Sequence, residues 1–344
     1  MTLLQRIVGV FWNKEEKRLR AIWRIGAHTI AVFGLTSAFT IGLLFLTLNV
    51  DAVLGAGLGE RVGDAGPMAI MQIPWIFMVI VPAATFLGVF LATLLAGKFI
   101  DRRKFRDFGL KFSKSWWVDF GFGLGLGAVL IALIFAFGWL TGTVRISGFF
   151  QPFTEDLGFL PGFFQALLFF IFVGIYEELL SRGYHLVNLS EGLNLKPIGK
   201  RWAVILAVLF SSAVFGLLHI GNPNASWVST LNITIAGIVF SLGMIFTGRL
   251  AIPIGLHITW NFFLGNVFGF PVSGMRNGAT IILTEAVGPD WLTGGAFGPE
   301  AGVMGLGALL VGGLLTLLWI RRKDSLSWKT ELAVFESTVQ NKNG

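Results

Sequence analysis

Eight stretches of this chain are apolar and long enough to cross a bilayer, and this feature limits the fold more than any other. The hydrocarbon core of a membrane is about 30 Å thick, so a spanning α-helix needs about 20 apolar residues. Helices also satisfy their backbone hydrogen bonds internally, which lipid requires. The sequence therefore predicts an all-α, polytopic membrane protein with about eight transmembrane helices, near residues 26–49, 72–97, 118–142, 161–187, 202–220, 228–247, 250–270 and 302–320.

The composition of the chain supports a membrane protein. Of its 344 residues, 54% are hydrophobic and only 13% are charged, whereas soluble domains carry about 25% charged residues. Cysteine is absent, which excludes disulfides, thiolate catalysis and cysteine-bound zinc. The net charge of +7 comes from basic residues that flank the apolar stretches, where they set topology and contact anionic lipid. We therefore expect membrane lipid, and not nucleic acid, as their partner.

The distribution of charge between the loops predicts an orientation. Basic residues crowd residues 98–114, the loop at 188–201 and the end of the last stretch, whereas the alternate loops are acidic. Cytoplasmic loops of membrane proteins carry an excess of Lys and Arg. Both termini are therefore expected in the cytoplasm, and the compact chain suggests a bacterial plasma membrane.

The chain divides by polarity into three parts. Residues 1–24 are basic and amphipathic and predict a helix on the cytoplasmic membrane surface. Residues 25–325 form a single transmembrane domain, and residues 326–344 form a polar tail. Within the domain, residues 271–300 are rich in Gly and Pro and predict an external loop. Small residues in the third stretch predict close helix packing, not a nucleotide-binding loop: Gly121, Gly123, Gly125 and Gly127.

Carboxylates interrupt the fourth apolar stretch. A charge at bilayer depth costs about 2.5–3.5 kcal/mol on insertion scales, so the adjacent Glu177 and Glu178 indicate a functional site. Residues four apart share a helix face, which lets Glu178 pair with Arg182. Glu177 lies about 100° round the helix, and we expect it to face a different partner.

The fifth and seventh stretches supply further polar residues. His219 ends the fifth stretch, and His257 and Asn261, which are four apart, project together from the seventh. Glu177 and His219 are equally far along the chain from residue 198, where Pro and Gly predict a turn. If both arms of this hairpin are regular helices, the two side chains reach the same depth. We interpret this as a shared site in the cytoplasmic half of the membrane.

Structural roles are the alternative for these residues. A Glu178–Arg182 pair can anchor a helix end at the membrane interface, and single intramembrane His or Asn residues can hold helices together. The chain has four histidines. The two outside the site, His28 and His185, lie near the predicted membrane interfaces, and we interpret both as structural.

Three motifs, in this order, resemble those of the CPBP family of intramembrane proteases. That family includes the type II CAAX prenyl endopeptidases and Abi-like bacterial relatives linked to bacteriocin processing or immunity. The resemblance covers approximately residues 160–270 and implies a four-helix catalytic core. The motifs are Glu177-Glu178-x-x-x-Arg182, Phe215-x-x-x-His219 and His257-x-x-x-Asn261.

The resemblance implies a role for each motif residue. Glu177 is expected to be the general base that activates water, assisted by His219. His257 and Asn261 are expected to stabilise the oxyanion of the tetrahedral intermediate. The other two charged residues of the first motif are expected to support them: Glu178 and Arg182.

A metal site is the alternative to this metal-free mechanism, for which no cofactor is expected. Two histidines and a carboxylate can hold zinc and leave one position open, and His219, His257 and Glu178 are the residues that would do so. The HExxH helix of many zinc proteases is absent, and we favour the mechanism without metal.

Three functions fit the sequence. The first is an intramembrane endopeptidase that cuts a peptide or a membrane-associated protein near the cytoplasmic side. The second is a proton-coupled transporter or channel that uses the intramembrane carboxylates, although no inverted repeat is visible. The third is a catalytically silent immunity or scaffold protein of the same fold.

Overall fold

The helices of the protein follow the eight apolar stretches. The computed structural model describes residues 8–54, 76–153, 158–323 and 326–335. Its main helices are α1 Ala21–Leu54, α2 Val81–Leu95, α3 Lys114–Leu140, α4 Phe159–Glu178, α5 Leu186–Leu193, α6 Gly199–Leu218, α7 Trp227–Thr247, α8 Ala251–Phe262 and α9 Val303–Lys323. Wider π-helical segments flank α2 and follow α4 and α8: Ile76–Ile80, Ala96–Asp101, Leu179–His185 and Phe263–Val267.

Seven helical segments among the described residues are long and apolar enough to cross a membrane. The predicted class, a polytopic all-α membrane protein, is therefore confirmed. The eighth predicted span, near 250–270, is shorter than the others. It consists of the 12 residues of α8 and five π-helical residues, which together reach about 25 Å.

The two ends of the helical bundle form two different faces. At one end, which we call the basic face, contacts between loops include the hydrogen bond from Leu250 N to Gly109 O. It contains residues 8–20, 102–113, 194–198, 248–250 and 326–335. The opposite end, the sheet face, contains residues 141–153, 219–226 and 268–302. Both described ends of the chain lie on the basic face, as an even number of passes requires.

The described part of residues 1–24 differs from the predicted interfacial helix. Residues 8–11 are helical, but Trp12–Asn13 (β1) then pairs with Arg18–Leu19 (β2), and α1 already begins at Ala21. Residues 1–7 lie outside the described residues. The reason for the difference is that Arg18 is buried against protein carboxylates and does not face lipid headgroups.

A buried network of ion pairs closes the basic face. Glu191 Oε2 accepts from Arg18 at 2.6 Å and from Arg24 at 2.8 Å, and Arg24 also pairs with Asp101 at 3.1 Å. Arg103 pairs with the other oxygen of Glu191. Burial lowers the pKa of Arg18 and of Arg103 to about 10, so both guanidinium groups stay charged at neutral pH. The network holds β2, α1, the π-helical segment after α2, and α5 together.

The described part of the predicted polar tail packs against this network. The Asn194 side chain donates to Ala333 O at 2.8 Å, and Arg103 donates to Val334 O at 3.0 Å. The Arg18 guanidinium lies over the ring of Phe335, 3.4 Å from its centroid. Residues 336–344 lie outside the described residues.

The predicted external loop at 271–300 contains regular structure. Ala279–Ala286 (β4) pairs antiparallel with Val144–Pro152 (β3), and the register shifts between Ile146 and Gly148. The run Thr-Ile-Ile-Leu-Thr at the centre of β4 has the β-branched residues that favour strands. The loop therefore forms half of a two-stranded sheet.

Glycines of α3 let α8 pack against its backbone. A Cβ at Gly127 would lie 2.6 Å from Leu256 O and 2.8 Å from Trp260 N, and one at Gly123 would meet the backbone of Leu256 at 2.9 Å. Gly121 and Gly125 have no such neighbours within 4 Å, because they lie on other faces of the helix. The predicted close packing thus uses two of the four glycines.

We expect Gly127→Ala to destabilise the protein, because the new methyl group has to push α8 away. Overpacking of this kind costs about 1–3 kcal/mol. The matched control is Gly125→Ala, where the space is open and Ala favours the helix by about 0.5–1 kcal/mol. Thermal unfolding in detergent should show a lower midpoint for Gly127→Ala only; equal midpoints for the two variants would contradict the packing.

Candidate active site

Three helices bring the predicted site residues together. α4 runs from the sheet face and ends with Glu177 and Glu178. α6 runs from the basic face and has His219 as its C-cap residue. α8 carries His257 and Asn261 and packs on α3 and α4.

Glu178 is fully buried and fixes the orientation of its neighbours. Its Oε1 accepts from Arg182 at 2.8 Å and contacts His257 Nδ1 at 2.8 Å. An ionised carboxylate only accepts hydrogen bonds, so His257 Nδ1 carries a proton. The Arg182 guanidinium lies over the rings of Phe215, at 4.3 Å, and Phe240, at 5.6 Å. A carboxylate that holds the Nδ1–H of a histidine fixes its tautomer and ring orientation.

Glu177 is more exposed than Glu178, but both carboxylates lie beside His257, whereas the position of Glu177 round the helix predicts a different partner for it. Its side chain is 21% exposed, whereas that of Glu178 is 0% exposed. Glu177 Oε2 lies 3.8 Å from His257 Nε2 and has no hydrogen-bond partner among the described residues. The carboxylate therefore has acceptor capacity available for a water or a substrate group.

His219 is held by its own helix. Its Nδ1 lies 2.8 Å from Phe215 O, and since a carbonyl only accepts, Nδ1 is the donor. In the neutral ring, Nε2 is then an acceptor. The ring of Phe215 neighbours both histidines of the site, with its centroid 4.8 Å from that of His219 and 6.3 Å from that of His257.

His219 and Glu177 share a cavity but are not in direct contact. Among the described residues no hydrogen bond or ion pair joins the two side chains. Equal depth was expected for regular α-helices, but the segment after Glu178, Leu179–His185, is a π-helix. A π-helix has a wider turn, so the number of residues along this arm of the hairpin does not measure depth.

All four predicted catalytic residues line one cavity of about 360 Å³: Glu177, His219, His257 and Asn261. Glu178 and Arg182 lie behind its wall and do not line it. Most of the wall is apolar and aromatic, with Phe169, Phe170, Val173, Phe215, Phe240 and Leu309 among its residues. An apolar cavity with a few convergent polar groups is typical of an active or binding site.

Glu300 is a residue of this cavity that the sequence analysis did not identify. Its Oε1 accepts from Trp260 Nε1 at 3.2 Å, and its Oε2 accepts from the backbone N of Ser273 at 2.6 Å and from the Ser273 hydroxyl at 2.9 Å. Its backbone carbonyl accepts from the Asn232 side chain at 3.0 Å. Glu300 therefore ties the sheet face to α8 beside Asn261. No motif spacing indicates this role, because the contacts span up to 68 residues.

The two remaining histidines lie together outside the cavity. His28 contacts Thr93 Oγ1 through Nε2 at 3.0 Å and stacks on Tyr184 with ring centroids 3.6 Å apart. The ring of His185 is 6.1 Å from that of His28. Neither lines the cavity, and their contacts support the predicted structural role.

The predicted zinc ligands do not fit a metal site in this arrangement. No three His, Asp or Glu side chains of the described residues lie close enough together to hold a metal ion. Glu178 Oε1 already contacts Arg182 and His257, and Glu178 is absent from the cavity wall that contains His219.

A comparison with known families finds one match. A family model described as type II CAAX prenyl endopeptidase Rce1-like matches residues 158–263. This segment contains α4 to α8 with all three motifs, so the resemblance inferred from the motifs is confirmed. The match supports a CAAX-type intramembrane protease at the level of the family. No curated protein and no solved structure matches the chain.

We expect Arg182→Met to destabilise the protein strongly, because it leaves the buried Glu178 carboxylate without its cationic partner. Loss of one partner of a buried pair costs about 3–5 kcal/mol. Arg182→Met combined with Glu178→Gln removes both charges and should recover much of the thermal stability in detergent. A double variant no more stable than the single one would contradict the pairing.

Proposed function

We propose that the protein is an intramembrane endopeptidase in which Glu177 and His219 activate water, and His257 and Asn261 stabilise the oxyanion. The observation that carries this proposal is the convergence of these four side chains, from three helices, on one cavity. The match of residues 158–263 to a CAAX-type protease family supports it independently.

Hydrolysis begins when a cavity water loses a proton to Glu177 and attacks the carbonyl carbon of the scissile peptide bond. A general base of this kind contributes about 10²–10⁴-fold to the rate. The Nε2 of His219 is free to accept a hydrogen bond from the same water, because its Nδ1 is held by Phe215 O. The attack forms a C–O bond and a negative charge on the former carbonyl oxygen.

Two side chains of α8 stabilise that charge. The Asn261 amide is a donor, and His257 Nε2 is a donor when the ring carries its second proton. Glu178 at Nδ1 and Glu177 near Nε2 flank the ring with carboxylates. When the intermediate collapses, the C–N bond breaks and Glu177 returns its proton to the leaving amine.

The supporting residues keep this arrangement in place. Glu178 holds the His257 ring, and Arg182 neutralises Glu178. Of the two carboxylates that line the cavity among the described residues, Glu300 is held by Trp260 and Ser273, so Glu177 is the one proposed to accept the proton. We propose this division of roles for the two adjacent glutamates because their burial differs. Glu178 is fully buried behind the cavity wall, where a cavity water does not reach it, whereas Glu177 is 21% exposed inside the cavity.

We expect Glu177→Gln to abolish cleavage while the protein still folds, because Gln keeps the shape of Glu but cannot accept the proton. The test compares new protein N-termini in membranes of a deletion strain that carries the wild type, Glu177→Gln or Asn261→Ala. Asn261→Ala should lower the cleavage rate about 10²–10³-fold, which is the usual effect of removing one oxyanion donor. The control is Glu331→Gln, an exposed glutamate on the basic face. New protein N-termini that still form with Glu177→Gln would contradict the assignment of Glu177 as the general base.

We expect the cleavage to persist after treatment with o-phenanthroline. The proposed mechanism takes its base and its oxyanion donors from side chains, so removal of zinc should not change the rate. The measurement is the cleavage rate in washed membranes before chelation, after chelation and after re-addition of Zn²⁺. Inhibition that Zn²⁺ alone reverses would contradict the mechanism without metal.

A further inference from the structure

The polar lining of the cavity leads from the catalytic residues to the sheet face. Asn222 lies in the turn between α6 and α7, Ser273 and Asn277 precede β4, and Glu300 precedes α9. All four side chains are half-buried, so they form a partly solvated rim. Of the described residues that line the cavity, none lies on the basic face.

The opposite end of the cavity is closed by buried groups. Arg182, which is 1% exposed, lies beyond Glu178 and is covered by Phe215 and Phe240. Leu179, Met244 and Leu250 form a buried apolar cluster beyond this pair. A peptide from the basic face would have to displace these groups to reach Glu177.

The charges of the two faces differ strongly. The described sheet face carries Arg145 and Arg276 against Glu285, Asp290 and Glu300. The basic face and the helix ends next to it carry most of the remaining cationic side chains: Lys14, Lys17, Arg18, Arg20, Arg24, Lys98, Arg102, Arg103, Lys104, Arg106, Lys111, Lys114, Lys196, Lys200, Arg201, Arg249, Arg321, Arg322, Lys323 and Lys329. By the positive-inside rule, this face lies in the cytoplasm.

We propose that the cavity is entered from the extracytoplasmic side, and that the substrate is an exported or membrane-anchored polypeptide whose cleaved segment lies outside the cytoplasm. The part that concerns the substrate rests on the proposed endopeptidase function. The proposal replaces the expectation of cleavage near the cytoplasmic side. That expectation followed from counting residues between the site and the basic loops, whereas the entrance depends on which end of the cavity is lined by solvated side chains.

The absence of cysteine from the chain permits a direct test with single-cysteine variants of the full protein. Glu285→Cys reports the sheet face, Lys111→Cys and Lys196→Cys report the basic face, and all three positions are exposed. In intact spheroplasts, a membrane-impermeant maleimide should label Glu285→Cys. It should label Lys111→Cys and Lys196→Cys only after the cells are permeabilised. The reverse pattern would overturn the proposal.

A second measurement tests the entrance itself. Asn222→Cys should be labelled from outside in intact spheroplasts, and a bulky impermeant maleimide attached there should stop cleavage. The control is Glu285→Cys, whose labelling should leave cleavage unchanged. Cleavage that continues with fully labelled Asn222→Cys, or Asn222→Cys that is labelled only after permeabilisation, would overturn the proposed entrance.

The same variants separate this proposal from the proposed function. Labelling of Asn222→Cys in a Glu177→Gln background reports the entrance without any cleavage. If no N-terminus depends on Glu177 but Asn222→Cys is labelled from outside, the endopeptidase function fails and the external entrance stands. If N-termini that depend on Glu177 map to cytoplasmic segments of their proteins, the external substrate is wrong and the endopeptidase function stands.

Discussion

The bond between the buried carboxylate of Glu178 and its two partners is the interaction on which the rest of the site depends. An unpaired charge at this depth is costly in lipid, so Glu178 needs Arg182 one helical turn away and His257 from α8. These contacts join α4 to α8 and turn the imidazole of His257 toward the cavity. The small residues of α3 let α8 approach closely enough for this arrangement.

Environment separates the two adjacent glutamates. Both partners of Glu178 contact its Oε1 behind the cavity wall, while Glu177 is partly exposed inside the cavity. The same residue type thus provides a buried ion-pair partner and a partly exposed carboxylate in the cavity wall. Glu300 adds a third carboxylate with a different role, because its Oε1 accepts from Trp260 of α8 and its Oε2 accepts from Ser273 within the sheet face.

The two ends of the helical bundle also differ in structure. The basic face is closed by buried arginines that share Glu191 and Asp101, and it joins the first and last described segments of the chain. The sheet face contains the half-buried polar rim of the cavity. The half-buried polar lining of the cavity is thus on the sheet face, while the Glu178–Arg182 pair behind the wall is buried on the side of the basic face.

Much of the fold and most of the site could be predicted from the amino-acid order alone. The free-energy cost of burying a charge or an unpaired backbone group in lipid depends mainly on residues that are close together in the sequence. That cost favours helices in the apolar stretches and makes Glu177 and Glu178 stand out as unusual. Helix geometry then places residues four apart on the same face. Other features depend on partners distant in the chain: β4 pairs with β3 across more than a hundred residues, Arg18 turns inward to Glu191, and Glu300 meets Trp260 and Ser273. The relative depth of His219 and Glu177 also depends on the tertiary structure, because the π-helical segment after Glu178 alters the depth that a count of residues suggests.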